Sequence, residues 1–206
     1  MSGVALYILG GGGHAKVAIA AAEAAGIGIA AVYDDNAARH GADLIGYRIS
    51  GAIPSADWWR GIDGGALIAI GDNRARRRIA TQCPARWQAL VHPGAWVHAS
   101  AKIGAGTLIC AGAVVQPDAV IGAHAIINTG AVVEHDCVVG DFAHLGPSSC
   151  LAGGASVGEG ALLGAGAVVV PSTTIGAWAV VGAGAAVIAG VADNAKVAGV
   201  PARLLT

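Results

Sequence analysis

Charge is scarce in this chain, and what there is cancels. Of the 206 residues 12% are charged, twelve basic against thirteen acidic, for a formal net charge of −1. No global field therefore favours nucleic acid or an anionic membrane. Cys83, Cys110, Cys137 and Cys150 form no CxxC pair and no metal-ligand spacing. Neither a disulfide framework nor a cysteine metal site is indicated, and a reducing cytoplasm fits. The one basic cluster, Arg74, Arg76, Arg77 and Arg78, falls inside a predicted helix without interleaved aromatics. It reads mainly as a solvated face, not as a nucleic-acid patch. Val4 to Leu9 is too short for the apolar region of a signal peptide and has no basic flank.

Charge is missing altogether between Glu159 and Asp193, a stretch long enough for a membrane-spanning helix of about 20 residues. A stricter pattern overrides that reading. Every sixth residue from Val91 to Val187 is aliphatic, seventeen positions without exception: among them Ile109, Ile121, Val133, Leu145, Leu163, Ile175 and Val181. Two places before each stands a small residue, such as Ala113, Ala125, Ala131, Cys137 or Ser149. Glycine recurs every eighteen residues at Gly104, Gly122, Gly140, Gly158 and Gly176. A lipid-facing helix has no reason to keep that register, and neither a helical nor a strand period explains it.

Three six-residue sides make one triangular coil, and coils stack as parallel strands about 4.8 Å apart. The aliphatic positions point into the prism, with the small residues beside them. The glycines are expected to turn the bends because they tolerate positive φ. At eighteen residues per coil, residues 91–187 make a little over five coils. The pattern resembles the left-handed parallel β-helix of the hexapeptide-repeat acyltransferases.

The N-terminal part has a different grammar. Val4 to Leu9 reads as a buried strand ending in Gly10-Gly11-Gly12-Gly13-His14; an Ala-rich helix follows, roughly Ala15 to Ala25. Ile27 to Tyr33 is a second strand, ending in Asp34-Asp35-Asn36, and Tyr47 to Ser50 a short one. Ala66 to Ile70 is a third strong strand, followed by Gly71-Asp72-Asn73 and a helix through about Thr81. This is a Rossmann-like α/β unit over residues 1–85, with residues 84–93 connecting it to a β-helix domain over 86–206. Ligands of such sheets bind where strands end. Gly10-x-Gly12-x-x-Ala15 superficially matches the dinucleotide fingerprint. No second mononucleotide half or hydride-transfer site follows, and the diphosphate of a nucleotide sugar would satisfy the same glycines and helix start.

In the repeat, chemistry is most plausible at Asn128 and at Glu134-His135-Asp136-Cys137, with His144 nine residues beyond His135. His135 stands two places past Val133, at a bend, so it faces outward between two carboxylates. A carboxylate fixes an imidazole's tautomer and raises its basicity, which suits a general base. The alternatives are an inert surface histidine and a metal site from His124, His135 and His144, whose spacings match no familiar ligand pattern.

The glycine-rich start, Asp34-Asp35, Ile68 to Asn73, Asn128 to Cys137 and the terminal Gly199-Val200-Pro201-Ala202 occur in this order in one bacterial family. Over nearly its whole length the chain resembles the NeuD-type sugar acetyltransferases, which include nucleotide-4-amino-sugar N-acetyltransferases. The resemblance implies an acetyl-CoA-dependent enzyme without a metal. His135 would be the base, supported by Asp136, with Asn128 in the same pocket. Gly12, Gly13, His14, Asp34, Asp35 and Gly71 would contact the nucleotide-linked amino sugar. His144 and the backbone near Ala165 and Ala183 would contact acetyl-CoA. It also implies a homotrimer with shared sites, an expectation strengthened by small or apolar residues such as Ala111, Ala123, Ala152 and Gly153. Two rivals remain: an O-acetyltransferase acting on a sialic-acid-type hydroxyl, and a non-catalytic nucleotide-binding scaffold.

Overall fold

The computed structural model describes residues 5–205; Val4, where the first strand was expected to begin, lies outside them. Strand β1 (Leu6–Leu9), helix α1 (Gly13–Ala24), β2 (Ile29–Tyr33), β3 (Asp43–Leu44) and β4 (Tyr47–Gly51) come first. Helix α2 (Ala56–Arg60), β5 (Gly65–Ile68), α3 (Asn73–Gln82) and β6 (Arg86–Trp87) follow. They form one sheet in the order β3-β4-β2-β1-β5-β6, parallel except for the β3–β4 pair. The sheet thus includes Arg86–Trp87, within the expected connector. Ile8, Ile19, Val32 and Leu67 are among its buried core residues.

From Leu90 onward the chain winds into a prism of two-residue strands. Face one contains Leu90–Val91, Leu108–Ile109, Ile126–Ile127, His144–Leu145, Leu162–Leu163, Val180–Val181 and Lys196–Ala198, each parallel to the next. Face two runs from Trp96–Val97 to Ala186–Val187, and face three from Lys102–Ile103 to Thr174–Ile175. Partners across neighbouring coils are eighteen residues apart, as with Ile109 and Ile127. The aliphatic positions from Ile109 to Val187 are all buried. At the open end, where no coil lies above, Val97 and Ile103 still pack against the core but are only half-buried, and Val91 is 37% exposed.

The eighteen-residue glycines also differ from expectation. They open their corners without positive φ; the left-handed residues on that column are Gly106, His124, Phe142, Gly160, Trp178 and Asn194, two places further on. What the structure asks of Gly104, Gly122, Gly140, Gly158 and Gly176 is close stacking. A Cβ on any of them would come closer than 3.0 Å to backbone of the next coil or turn.

The outward residue of each strand decides what covers its face. On face one Leu90, Leu108 and Ile126 are buried, and Leu90 and Leu108 belong to the N-terminal core. Below them His144 still meets that domain at Gly71, and Leu162, Val180 and Lys196 continue the column. The junction also has a polar tie that the sequence reading placed in solvent. Arg76 is fully buried, because α3 lies along the corner between faces three and one. Its guanidinium donates to the carbonyls of His124 (2.8 Å) and Phe142 (2.6 Å). Asn73 Nδ2 donates to the carbonyls of Gly160 and Ala161.

Candidate active site

The four loop glycines are not equivalent. Gly10 has φ +118, and a Cβ there would meet Ile70 and Ala69; one on Gly11 would meet Ile49 and Asp34. These two are required by the fold. A Cβ on Gly12 would only approach Arg39 at 3.4 Å, and one on Gly13 would meet nothing within 4 Å. The loop is therefore open at Gly12 and Gly13, where α1 begins and its free N–H groups favour an anion.

Asp34 and Asp35 divide the work at the end of β2. Asp34 is buried and accepts from the backbone N–H groups of Gly11 (2.6 Å) and Asn36 (2.8 Å) and from Arg39 (3.1 Å). Burial raises its pKa, but these bonds outweigh burial and leave it lowered. Its carboxylate ties the glycine loop to β2. Asp35 is exposed; Oδ1 accepts from Ile53 N–H at 3.0 Å. It borders a pocket of about 190 Å³ with Ile53, Pro54, Gln82 and Cys83. Arg39 and His40, whose Nε2 lies 2.7 Å from the Asp34 carbonyl, were missed in the sequence; nothing in their spacing marks them.

Gly71 meets the prism. His144 Nδ1 lies 3.2 Å from the Gly71 carbonyl, and His144 Nε2 lies 3.0 Å from Asn128 Nδ2. Asn128 Oδ1 already accepts from Thr129 N–H at 2.8 Å, so its NH₂ faces the imidazole. Nε2 is then the acceptor and Nδ1–H the donor: His144 is a neutral ring held at both nitrogens. Burial, then the positive charge of Arg76, pushes its pKa down to about 4, against the opposing bond to Gly71. His14 lies beside it, ring centroids 6.0 Å apart, with a buried Nε2 that has no partner among the described residues. Burial, then His144 and Arg76, pushes His14 down to about 4 as well. A cleft of about 370 Å³ opens next to Gly71, bordered by Leu162, Trp178, Arg74 and Lys196.

His135 occupies a different corner, between faces two and three. Its Nδ1 is 2.8 Å from Asp136 Oδ2, and both side chains are exposed. Asp136 adopts φ +59, a conformation that Asp tolerates better than most residues. The hydrogen bond to Asp136 chiefly, against slight desolvation and with Glu134 adding, raises the His135 pKa. The ring rests over Gly153: a Cβ there would stand 2.6 Å from both Cε1 and Nε2. With Nδ1 on the carboxylate, Nε2 is left to accept a proton. Two histidines nine residues apart are thus driven in opposite directions, one toward basicity and one toward neutrality.

One chain therefore brings together Gly71, His14, His144 and Asn128, and places His135 and Asp136 one side of the triangle away. Asn128 bonds to His144 and not to His135. Ala165 and Ala183 lie on the corner between faces one and two, the corner that also carries Asn128; neither amide has a protein acceptor among the described residues, whereas those of Gly164, Gly166, Gly182 and Gly184 bond to other coils. His124 is elsewhere again, stacked on Phe142 and edge-on to Trp87, so the three histidines considered for a metal do not converge within a chain. Gly153 was visible in the sequence only as a small surface residue.

A hexapeptide-repeat prism with an outward histidine–aspartate pair, joined to a glycine-loop α/β domain, defines the class: an acyltransferase that carries a Rossmann-like domain. Comparison with known proteins agrees. The PglD N-terminal domain family matches residues 5–83, and the bacterial transferase hexapeptide (six repeats) family matches residues 100–135 and 154–189. A mutant perosamine N-acetyltransferase from Caulobacter crescentus, solved with CoA and GDP-perosamine, is 41% identical; the match covers 98% of this chain and 97% of that one, with a TM-score of 0.92. The acetyltransferase domain of PglB from Neisseria gonorrhoeae FA1090, solved with acetyl coenzyme A, is 32% identical over 98% of this chain and 100% of that one, TM-score 0.90. WeeI from Acinetobacter baumannii AYE is 25% identical over 98% and 99%, TM-score 0.87. No match was found among curated proteins. The chain belongs to the NeuD-type bacterial sugar acetyltransferases and is an acetyltransferase.

Proposed function

We propose that this enzyme transfers the acetyl group of acetyl-CoA to the amine of a nucleotide-linked 4-amino sugar, with His135 as general base. The observation that carries this reading is the His135–Asp136 pair: an exposed imidazole with its tautomer set by a carboxylate and its Nε2 free. The nucleotide sugar enters the α/β domain, its diphosphate at Gly12 and Gly13 and its nucleoside toward Asp35; Asp34 holds the loop that receives it. The sugar reaches His14, whose unpartnered Nε2 offers it a hydrogen bond, and Gly71. CoA lies along the prism past His144, with the free amides of Ala165 and Ala183 available to its own amide groups.

The amine nitrogen attacks the thioester carbonyl as His135 Nε2 takes its proton. A tetrahedral oxyanion forms and collapses, breaking the C–S bond. The departing thiolate takes the proton back from His135, leaving an N-acetyl sugar and CoA thiol. His144, neutral and engaged at both nitrogens, is a holder of position in this scheme, not a second base.

Because one chain sets His135 a full prism side from Gly71 and His144, the complete site combines two chains. The exposed faces fit such an assembly. The outward column of face two is Trp96, Val114, Val132, Cys150, Val168 and Ala186, without a single charge; Trp96 is 50% and Val168 44% exposed. Face three adds Val120 and Val138, 39% and 48% exposed. Packing three prisms about an axis buries these faces and aligns the His135 corner of one chain with face one of the next. Four free cysteines fit a cytoplasmic setting, and among the described residues no helix is long and apolar enough to cross a membrane.

Thiol release from acetyl-CoA, measured across GDP- and UDP-linked 4-amino sugars and free sialic acid, tests the reading. Release with a nucleotide-linked amine, and an acetamide in the product by mass spectrometry, is expected. Release with sialic acid alone would favour the O-acetyltransferase, and no release with any acceptor the scaffold.

A further inference from the structure

Arg76 is a buried cation that the proposed mechanism does not use. Every one of its five N–H donors is spent on protein. Nε donates to His124 O; Nη1 to Ile70 O at 2.9 Å and Gly71 O at 3.4 Å; Nη2 to Asn73 Oδ1 at 2.8 Å and Phe142 O at 2.6 Å. Among the described residues no carboxylate bonds to it, although a buried charge ordinarily takes one. It has no donor left for a phosphate, so it is not a ligand-binding arginine.

The acceptors show what it does. His124 and Phe142 are successive left-handed corner residues of the prism, φ +54 and +58. Ile70 and Gly71 belong to the loop after β5, on the nucleotide side. Asn73, one helical turn before Arg76, accepts from it and donates to Gly160 O, the next carbonyl on the same corner column. The pair reads three consecutive corners and fixes the height of the loop along the prism. The Gly71 carbonyl that takes the long Nη1 bond is the one that receives His144 Nδ1–H.

We infer that Arg76 is a positioning residue: through the Gly71 carbonyl it holds His144 as the Nδ1–H tautomer and sets the nucleotide domain at one register on the prism. The functional consequence rests on the proposed placement of the amino sugar at Gly71 and of CoA at His144. A lysine would keep the charge but could meet no more than three of the five acceptors. The ionisable neighbours of His144 are Arg76 on α3 and His14 on α1; burial and then the Arg76 charge oppose its protonation, against the bond to Gly71, so Arg76 also keeps the ring uncharged.

The test is nitrogen NMR of the histidine side chains in the intact protein, the His144 signals assigned with His144→Gln, alongside the pH profile of acetyl transfer from acetyl-CoA to GDP-perosamine. In the wild type, His144 should show Nδ1–H with an unprotonated Nε2 throughout pH 5 to 8. In Arg76→Met it should change tautomer or begin to titrate, and kcat/KM for the sugar should fall about 10- to 100-fold, the usual effect of misplacing a reacting group by about 1 Å. Arg76→Lys should recover part of the rate. If Arg76→Met does not fold, Asn73→Ala removes one acceptor of the guanidinium and the bond to Gly160, and should loosen His144 in the same sense. A folded Arg76→Met or Asn73→Ala protein with an unaltered His144 tautomer would overturn the inference, whatever its melting temperature. Wild-type protein inactive on every amino sugar would instead refute the function, while the NMR result would still decide the role of Arg76.

Discussion

Replacing Gly153 by alanine separates the position of His135 from the stability of the prism. The added methyl would stand 2.6 Å from Cε1 and Nε2 of the imidazole, whereas ordinary contact begins at 3.4 Å, so the ring must withdraw by about 1 Å. It is free to do so: the His135 side chain is 61% exposed and hangs from a corner. Gly153 does not have positive φ, so alanine brings no backbone strain there; the lost freedom of the unfolded chain is worth about 0.4–1 kcal/mol in its favour. A 1 Å displacement of a reacting group costs up to about 100-fold in rate. Gly153→Ala should therefore melt at or above the wild-type temperature yet turn over about 10- to 100-fold more slowly, measured as thiol release with saturating acetyl-CoA. Gly154, at φ +70, is the control: alanine there should cost about 1–2 kcal/mol in stability. Gly153→Ala with full turnover would refute the reasoning that Nε2 over Gly153 is the proton acceptor.

Asp136→Asn removes the main cause of the raised His135 pKa; the acid limb of kcat/KM should move to lower pH, and the plateau should fall about tenfold, less than on losing the base. Acid should destabilise the protein early. His14, His124 and His144 are all held near 4, so the unfolded chain binds more protons between there and the ordinary value; stability rises with pH across that window and is lost as pH falls from about 6.5 toward 4. At one unit below the ordinary value each ring contributes at most about 1.4 kcal/mol of that loss, to be read from melting temperatures between pH 7.5 and 5.0. Chains carrying Asp35→Ala and chains carrying His135→Ala, mixed through unfolding and reassembly, should regain activity well above either parent if sites are shared; mass-verified mixed assemblies that stay inactive would mean that each chain builds its own.

Most of the fold was legible because a six-residue beat admits few solids, and the aliphatic positions from Ile109 to Val187 are buried as that beat requires. The same arithmetic could not see the ends, where Val91 lacks a coil above it, nor why glycine recurs every eighteen residues. That repeat reflects backbone stacking between coils, a contact that no local pattern encodes. In the α/β part, strand ends located the Gly12, Asp35 and Gly71 loops, but not which glycines the fold itself demands. Arg76 was misplaced for a physical reason. Four arginines on a short helix look solvated until a second domain lays three carbonyl-lined corners against it. The opposed environments of His135 and His144 were half visible: Glu134 and Asp136 announce the first in sequence, whereas the burial and the Arg76 charge that keep the second neutral come from parts remote in the chain.

The central claim is tested most directly by one comparison: kcat for acetyl transfer from acetyl-CoA to the most active of the GDP- and UDP-linked 4-amino sugars in the wild type and in His135→Ala, with nucleotide-sugar affinity measured in both. The account predicts a loss of about two to four orders of magnitude, the range for a general base, at nearly unchanged affinity. A His135→Ala enzyme turning over at close to the wild-type rate would contradict it.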